Sequence, residues 1–401
     1  MWLLSSILTF IIRGASMLNQ TMLYETKVLE SRQKIVRIEL HNLRNIPITP
    51  PPYRDLPKTE GALLLEVETS DGIVGWSTSG YTHHVVVDLI NKYIAPRIIE
   101  QGADPFRTER IPMLFDRHTY ERPLGRALIS ALAMIDIACW DIKGKTLGKP
   151  VHHLLGGARD RVPVYVTHGA AYDGAPVYTA KELAAEAKHL ADLGVTHLKN
   201  TVGRQAVPDP YDDYNRMAAM REAVGPNVRL SMDGNLRMSL PDAVKLCTLC
   251  EELDISFIEE PIHYNEPANL AHLRSRTSIR VAAAENEKFS AKDLLCAGAI
   301  DILQPNVNND GGFTAGLRSA NLARAFNVAL GHGNGNGPHN IALHAGVANG
   351  GLVEYHFHKW MAYNAIFKEV PQPDEGYLNV SQEPGLGLEP KDGLIQEFKV
   401  S

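Results

Sequence analysis

Between residues 162 and 356 one pattern recurs eight times: a short apolar run followed by a longer amphipathic stretch. The runs are VPVYV, THLKN, LSMDGN, FIEEP, VAAAE, DILQP, VALGH and LVEYH. A strand can pair in parallel with its predecessor only after a crossover long enough to hold a helix. Eight such units in succession, each about 20–35 residues, predict an α/β fold of the modified (β/α)8 barrel type. The intervening helices carry their own start and stop signals. Thr179 to Glu182 reads as a capping box with Gly194 as the stop, and Ser239 to Asp242 and Ser290 to Asp293 repeat the start in weaker form.

Upstream the pattern differs. KIVRIELHNL alternates apolar and polar residues, and LLLEVETSDGIVGWST holds two runs joined by Ser70-Asp71-Gly72, a hairpin signal. A Pro-rich loop, RNIPITPPPYRDLP, separates them, and ALISALAMIDIACWDIKGKTLG reads as a long helix. The expected division is an α+β capping domain at 34–155, the barrel at 156–370, a segment at 371–401 returning to the cap, and an extension at 1–33. Residues 2–12, WLLSSILTFII, are too short to span a bilayer, and no positive charge precedes them as in a signal peptide. Met17 and Met22 lie just downstream, so an over-extended start is the expected reading of this segment.

Composition removes several classes of function. The 46 acidic residues outnumber 40 Lys and Arg, giving a net charge of −6, which argues against neutralising a nucleic-acid backbone. No apolar run is long enough for a membrane span. Four cysteines make no disulfide scaffold, and Cys247 and Cys250 sit inside a helical pattern where core packing is expected. These traits suit a cytoplasmic enzyme acting on a small molecule, with neither nucleic acid nor membrane as partner.

Barrel enzymes place their chemistry at the C-terminal ends of the strands. Here those ends carry Lys199 and Thr201, Asp233 and Asn235, Glu259, Glu285, Asn306, His332 and Glu354. Asp233, Glu259 and Glu285 are spaced by 26 residues each, one βα unit apart. Carboxylates that close repel unless a cation compensates them, and oxygen-only ligands suit a hard ion, Mg2+ first.

The sequence resembles the mandelate racemase and muconate lactonizing branch of the enolase superfamily over about residues 34–390. The resemblance rests on ALISALAMIDIACWDIKGKTLGKPVHHLLGG, FIEEP, AEN at 284–286, the glycines of NNDGGFT, PGLGLEP, and the equal spacing of the acids. It implies a capping domain over a modified barrel and a Mg2+ held by Asp233, Glu259 and Glu285. It also implies abstraction of the proton α to a carboxylate through an enediolate, with Glu354 hydrogen-bonding the substrate carboxylate. A homo-oligomer is the family default.

Two positions depart from the family. The Lys-x-Lys of the second strand reads Lys199-Asn200-Thr201, and Asn306 stands where the family pairs an Asp with the histidine matched by His332. Asn can orient an imidazole but cannot stabilise its cation by charge. Lys199 is therefore expected to abstract the proton, with His332 or a nearby His protonating a leaving hydroxyl: dehydration of a sugar acid or related hydroxy acid to a 2-keto acid. The alternatives are a racemase, epimerase or cycloisomerase, or a metal-binding member that has lost the usual bases. Further substrate contacts are expected from His168 and from His339 in the Gly-rich loop 331–340. Lys288, and the cap residues Thr49, Tyr53 and Tyr81-Thr82-His83-His84, are also candidates.

Overall fold

The computed structural model describes residues 33–49, 58–79, 84–115, 125–169, 177–285, 290–333, 335 and 337–400. Tyr53, Tyr81, Thr82, His83 and Lys288, the side chain of His84 and the segment 1–32 lie outside the described residues.

The first layer is an antiparallel sheet ordered β1 (Ile35–Pro47), β2 (Thr59–Thr69), β3 (Val74–Thr78). Alternation along β2 sends side chains to two different cores. Leu63, Leu65 and Val67 join a cluster with the helices of the cap, whereas Ala62 and Leu64 join the large cluster that runs through the barrel. The helices are α1 (His84–Leu89), α2 (Ala95–Glu100), α3 (Gly125–Leu147) and the short α4 (Val151–Leu154). Helix α3 is buried nearly all round, Asp136, Asp141 and Lys143 included. Buried charges are tolerated only with partners. Asp141 has them: the backbone N–H of Trp76 at 3.0 Å, that of Leu386 at 2.7 Å, and Lys145 Nζ at 2.9 Å.

Eight parallel strands follow: β4 (Arg161–His168), β5 (His197–Thr201), β6 (Arg229–Asp233), β7 (Ile255–Glu259), β8 (Arg280–Ala283), β9 (Ile302–Leu303), β10 (Ala329–Leu330) and β11 (Val353–His356). They run in sequence order from β4 to β10, and β11 pairs with β4. One backbone bond, His332 N–H to the Leu352 carbonyl at 2.9 Å, links the two ends of this path. Helices α5 (Ala180–Asp192), α6 (Pro210–Val224), α7 (Leu240–Cys250), α8 (Pro267–Arg274), α9 (Ala291–Cys296), α10 (Gly312–Ala325), α11 (Asn340–Gly346) and α12 (Phe357–Ile366) connect and flank the strands. The capping box at Thr179 and Glu182 is formed, and Cys247 and Cys250 are free thiols buried in the core.

Tyr165, Phe257, Ala282 and Ile302 form a separate apolar plug from four strands, with the Tyr165 and Phe257 rings 5.5 Å apart edge to face. The polar strand ends lie above it. A hairpin of β12 (Pro373–Asp374) and β13 (Tyr377–Asn379) adds to the first half of β4, and the chain then returns to the cap. There Lys399 bridges to Leu43, and the Val400 N–H donates to the Asn42 carbonyl at 2.9 Å. Among the described residues no helix is long and apolar enough to cross a membrane.

Candidate active site

Lys199 organises the polar end of the barrel. Its side chain is completely buried, and its Nζ lies 2.6 Å from Glu259 Oε2, 2.9 Å from Asp233 Oδ2 and 3.3 Å from Glu354 Oε1. Four strands thus send one ammonium and three carboxylates to one point. Burial works to strip the lysine of its proton, but the charges of Asp233, Glu259 and Glu354 outweigh it and hold the group well above the ordinary amine range.

The carboxylates are held by groups from inside the barrel. Gln304 Nε2 donates to Glu259 Oε2 at 2.8 Å, and the Tyr165 hydroxyl lies 3.4 Å from the same oxygen. Thr167 Oγ1 donates to Glu354 Oε1. Asp233 Oδ1 accepts the Asn235 N–H at 3.0 Å and the Asn235 amide. Burial, and then the neighbouring charges of Asp233 and Glu354, push the Glu259 carboxyl up to about 8 against the pull of Lys199. Glu285 is raised well above the usual carboxylate range, first by burial and then by Glu259 and Glu260.

This donor set fits a hard divalent cation. Glu259, Glu285 and Glu354 bring one oxygen each within 4.8 Å of one another. Glu259 Oε1 and Glu354 Oε2 are buried without a hydrogen-bond partner, which is costly for a carboxylate unless a cation meets it. Gly333 keeps the space open: a Cβ there would stand 2.4 Å from Glu285 Oε2 and 3.0 Å from Glu259 Oε1. The clustered trio differs in one member from the expected one. Asp233 is turned to Lys199 and Asn235, and Glu354, from the strand on the far side of β4, takes its place in the cluster.

His332 is also placed differently from expectation. The Glu354 N–H points at its Nδ1 from 3.2 Å, and the Asn306 amide nitrogen lies 3.3 Å from its Nε2. The Asn306 amide cannot turn round, because Nδ2 donates to the Gly333 carbonyl and Oδ1 accepts from the Asn308 N–H, each at 2.9 Å. Donors therefore face both ring nitrogens, and an imidazolium, which has two N–H groups, would have no acceptor. Burial, with Lys199 and Lys359 adding to it, lowers the ring to about 3.

His168 points away from the site. Tyr165 and Thr167 face inward from β4, so His168 faces the helices, where burial and the nearby His358 lower it to about 3. Both its ring nitrogens lack hydrogen-bond partners. His339 is buried at the start of α11, its Nδ1 3.2 Å from Asn308 Nδ2, which in turn donates to the Thr78 carbonyl of the cap at 2.7 Å. Asn235 spends its amide on Asp233, and Thr201 is buried at the end of β5 opposite Asp233 in register. Thr49 is exposed at the edge of the described cap loop. Tyr165, Thr167 and Gln304 were not singled out from the sequence. Nor was Lys359 on the first turn of α12, which feels the charges of Glu354, Glu285 and Asp233.

The family models match both parts of the chain. Residues 57–156 match the mandelate racemase / muconate lactonizing enzyme N-terminal domain, and residues 182–394 match the enolase C-terminal domain-like family. The chain belongs to the mandelate racemase / muconate lactonizing enzyme family of the enolase superfamily. Among its relatives, the arabinonate dehydratase of Saccharolobus solfataricus is 31% identical over 350 residues, 83% of this chain and 89% of that protein. A D-galactonate dehydratase of Verminephrobacter eiseniae is 31% identical over 354 residues, 84% and 90% of the two chains. Among solved structures, a family member from a marine actinobacterium in complex with magnesium superposes with a TM-score of 0.79 at 28% identity, covering 92% of this chain and all of that one.

Proposed function

We propose that this protein is a Mg2+-dependent hydro-lyase that removes the proton α to the carboxylate of a sugar acid and expels the β-hydroxyl, leaving a 2-keto acid. The observation that carries this reading is the buried convergence of Lys199 on Asp233, Glu259 and Glu354, beside carboxylate oxygens that have no donor. Relatives named as sugar-acid dehydratases support the reaction class. The mandelate racemase-like structure in complex with magnesium supports the metal.

Mg2+ supplies Lewis-acid stabilisation for the charge that develops on the substrate carboxylate as the α-proton leaves. The residues expected to hold it are Glu259 and Glu285, with Asp233 or Glu354 completing the set. The acid that stays outside the set keeps its place on Lys199 or on the substrate. Once the carboxylates are compensated otherwise, the pull that keeps Lys199 protonated weakens, and its amine can accept the α-proton. The C–H electrons pass into the carboxylate and return to break the C–O bond at the β-carbon. The proton on Lys199 leaves with the hydroxyl as water, and the enol product becomes the 2-keto acid. His332 accepts the Glu354 backbone N–H at Nδ1 and so steadies the loop after β10 against β11. The Tyr165 and Phe257 plug keeps water out from below.

The same reading assigns residues 34–155 to the cap, 156–370 to the barrel and 371–401 to a returning segment. It makes the protein a cytoplasmic homo-oligomer acting on a small carboxylic acid, with neither nucleic acid nor membrane as partner. The test is incubation with Mg2+ in D2O and a panel of acid sugars. Formation of a 2-keto acid without deuterium in the recovered substrate supports dehydration. Deuterium exchange without product would favour a racemase or epimerase, and neither outcome on any acid would favour a member without the family chemistry.

A further inference from the structure

We infer that the chain carries a second metal site, for a zinc-class ion, at the opposite end of the barrel, built from His152, His153 and Asp160. His152 and His153 lie in α4, and Asp160 immediately precedes β4. One ligand atom from each lies within 4.8 Å of the others. His152 is 1% exposed, yet its Nε2 has no hydrogen-bond partner. That nitrogen stands 3.6 Å from Asp160 Oδ1. The separation is too long for a sound hydrogen bond. It suits two ligands of one ion, since donors about 2.1 Å from Zn2+ at tetrahedral angles lie about 3.4 Å apart.

The donor set points to the ion. Two imidazoles and one carboxylate favour Zn2+ over Mg2+, which takes oxygen ligands. Three protein ligands leave a fourth position for water. The carboxylate is already oriented: Gln382 Nε2 donates to Asp160 Oδ1 from 3.3 Å, as an outer partner does for a metal ligand. The His152 and His153 ring centroids are 4.4 Å apart, so the two imidazoles already converge. The location is separate from the carboxylate site. From Asp160 to Thr167, which touches Glu354, β4 climbs about 23 Å. Residues at the N-terminal face of such a barrel serve stability. An ion here would tie together α4, the start of β4 and, through Gln382, the returning C-terminal segment.

The test uses tag-free full-length protein saturated with Mg2+, titrated calorimetrically with Zn2+. His153 is exposed and the Asp160 side chain is 76% exposed, so His153→Ala and Asp160→Asn leave the core untouched. One equivalent of Zn2+ per chain is expected. In His153→Ala the affinity should fall by more than the roughly 10–100-fold that loss of an outer partner costs. With Co2+ in place of Zn2+, wild type should show the visible bands of a four-coordinate nitrogen-ligated ion, and both variants should lose them. Absence of a Zn2+ equivalent in wild type, or binding and bands unchanged in His153→Ala, would overturn the inference.

Discussion

Replacing Lys199 by Met tests whether this lysine is the standing counter-ion of the carboxylates. Met keeps the length and apolar stem and removes the charge. Asp233, Glu259 and Glu354, now within 2.6–3.3 Å of Lys199 Nζ, would then face one another in a buried site. Removing one partner of a buried ion pair costs about 3–5 kcal/mol. The site can relax by protonating one more carboxyl. For a glutamate with an ordinary value of 4.5, that costs about 3.4 kcal/mol at pH 7, which sets the expected loss near the low end of the range. In a domain of about 200 residues this lowers the unfolding midpoint by roughly 6–14 °C. Thermal unfolding of wild type and Lys199→Met in EDTA and in saturating Mg2+ reads the effect. The deficit should be full in EDTA and fall to less than half in Mg2+, because the ion then replaces the missing positive charge. An equal deficit in both conditions, or none in EDTA, would refute the reasoning.

Gly333→Ala would put a Cβ 2.4 Å from Glu285 Oε2, so the variant should fold but bind Mg2+ at least ~100-fold more weakly by calorimetry. Glu259, raised to about 8, holds a proton at pH 7 that the unfolded chain lacks, and burial pushes Glu285 in the same direction. Without metal, stability should therefore fall as pH rises from 7 towards 8. Mg2+ affinity should rise over the same window, with proton uptake by the buffer at pH 7 seen as calorimetric heats that depend on the buffer's ionisation enthalpy; heats independent of the buffer would contradict this. Asn306→Asp would give His332 Nε2 an acceptor and should lift the ring from about 3 towards its ordinary 6.5, as read by NMR titration. The same change removes the donor to the Gly333 carbonyl and should cost about 1–3 kcal/mol in urea unfolding.

The eight parallel strands were legible because each is a short apolar run closed by a polar residue, and that alternation dictates the architecture. Lys199, Glu259 and Glu285 were legible because they sit on those polar ends. Two kinds of residue escaped. Tyr165, Thr167 and Gln304 lie within or just past apolar runs; the two-residue alternation of β4 turns the first two inward, and the reach of Gln304 to Glu259 shows only in the contacts between strands. The same alternation turns His168 outward. The partition of the acids depends on distances across the barrel: β11 lies beside β4, so Glu354 meets Glu259 and Glu285 although it is far from them in the chain. The orientation of the Asn306 amide, which decides what His332 can do, is set by two backbone groups that no spacing in the sequence displays.

Asp141 in the cap accepts the backbone of Trp76 and of Leu386, and the first strand pairs with residues 399 and 400. A chain leaves the ribosome N-terminus first. The long helix and the first sheet are therefore made early, yet the seat of that carboxylate and the edge of that sheet wait for residues 386–400, the first of them 245 positions beyond Asp141. The cap is therefore completed only after all eight strands between its two parts have been made. Until then a half-made chain holds a helix whose buried carboxylate has only the Trp76 N–H and Lys145 as partners.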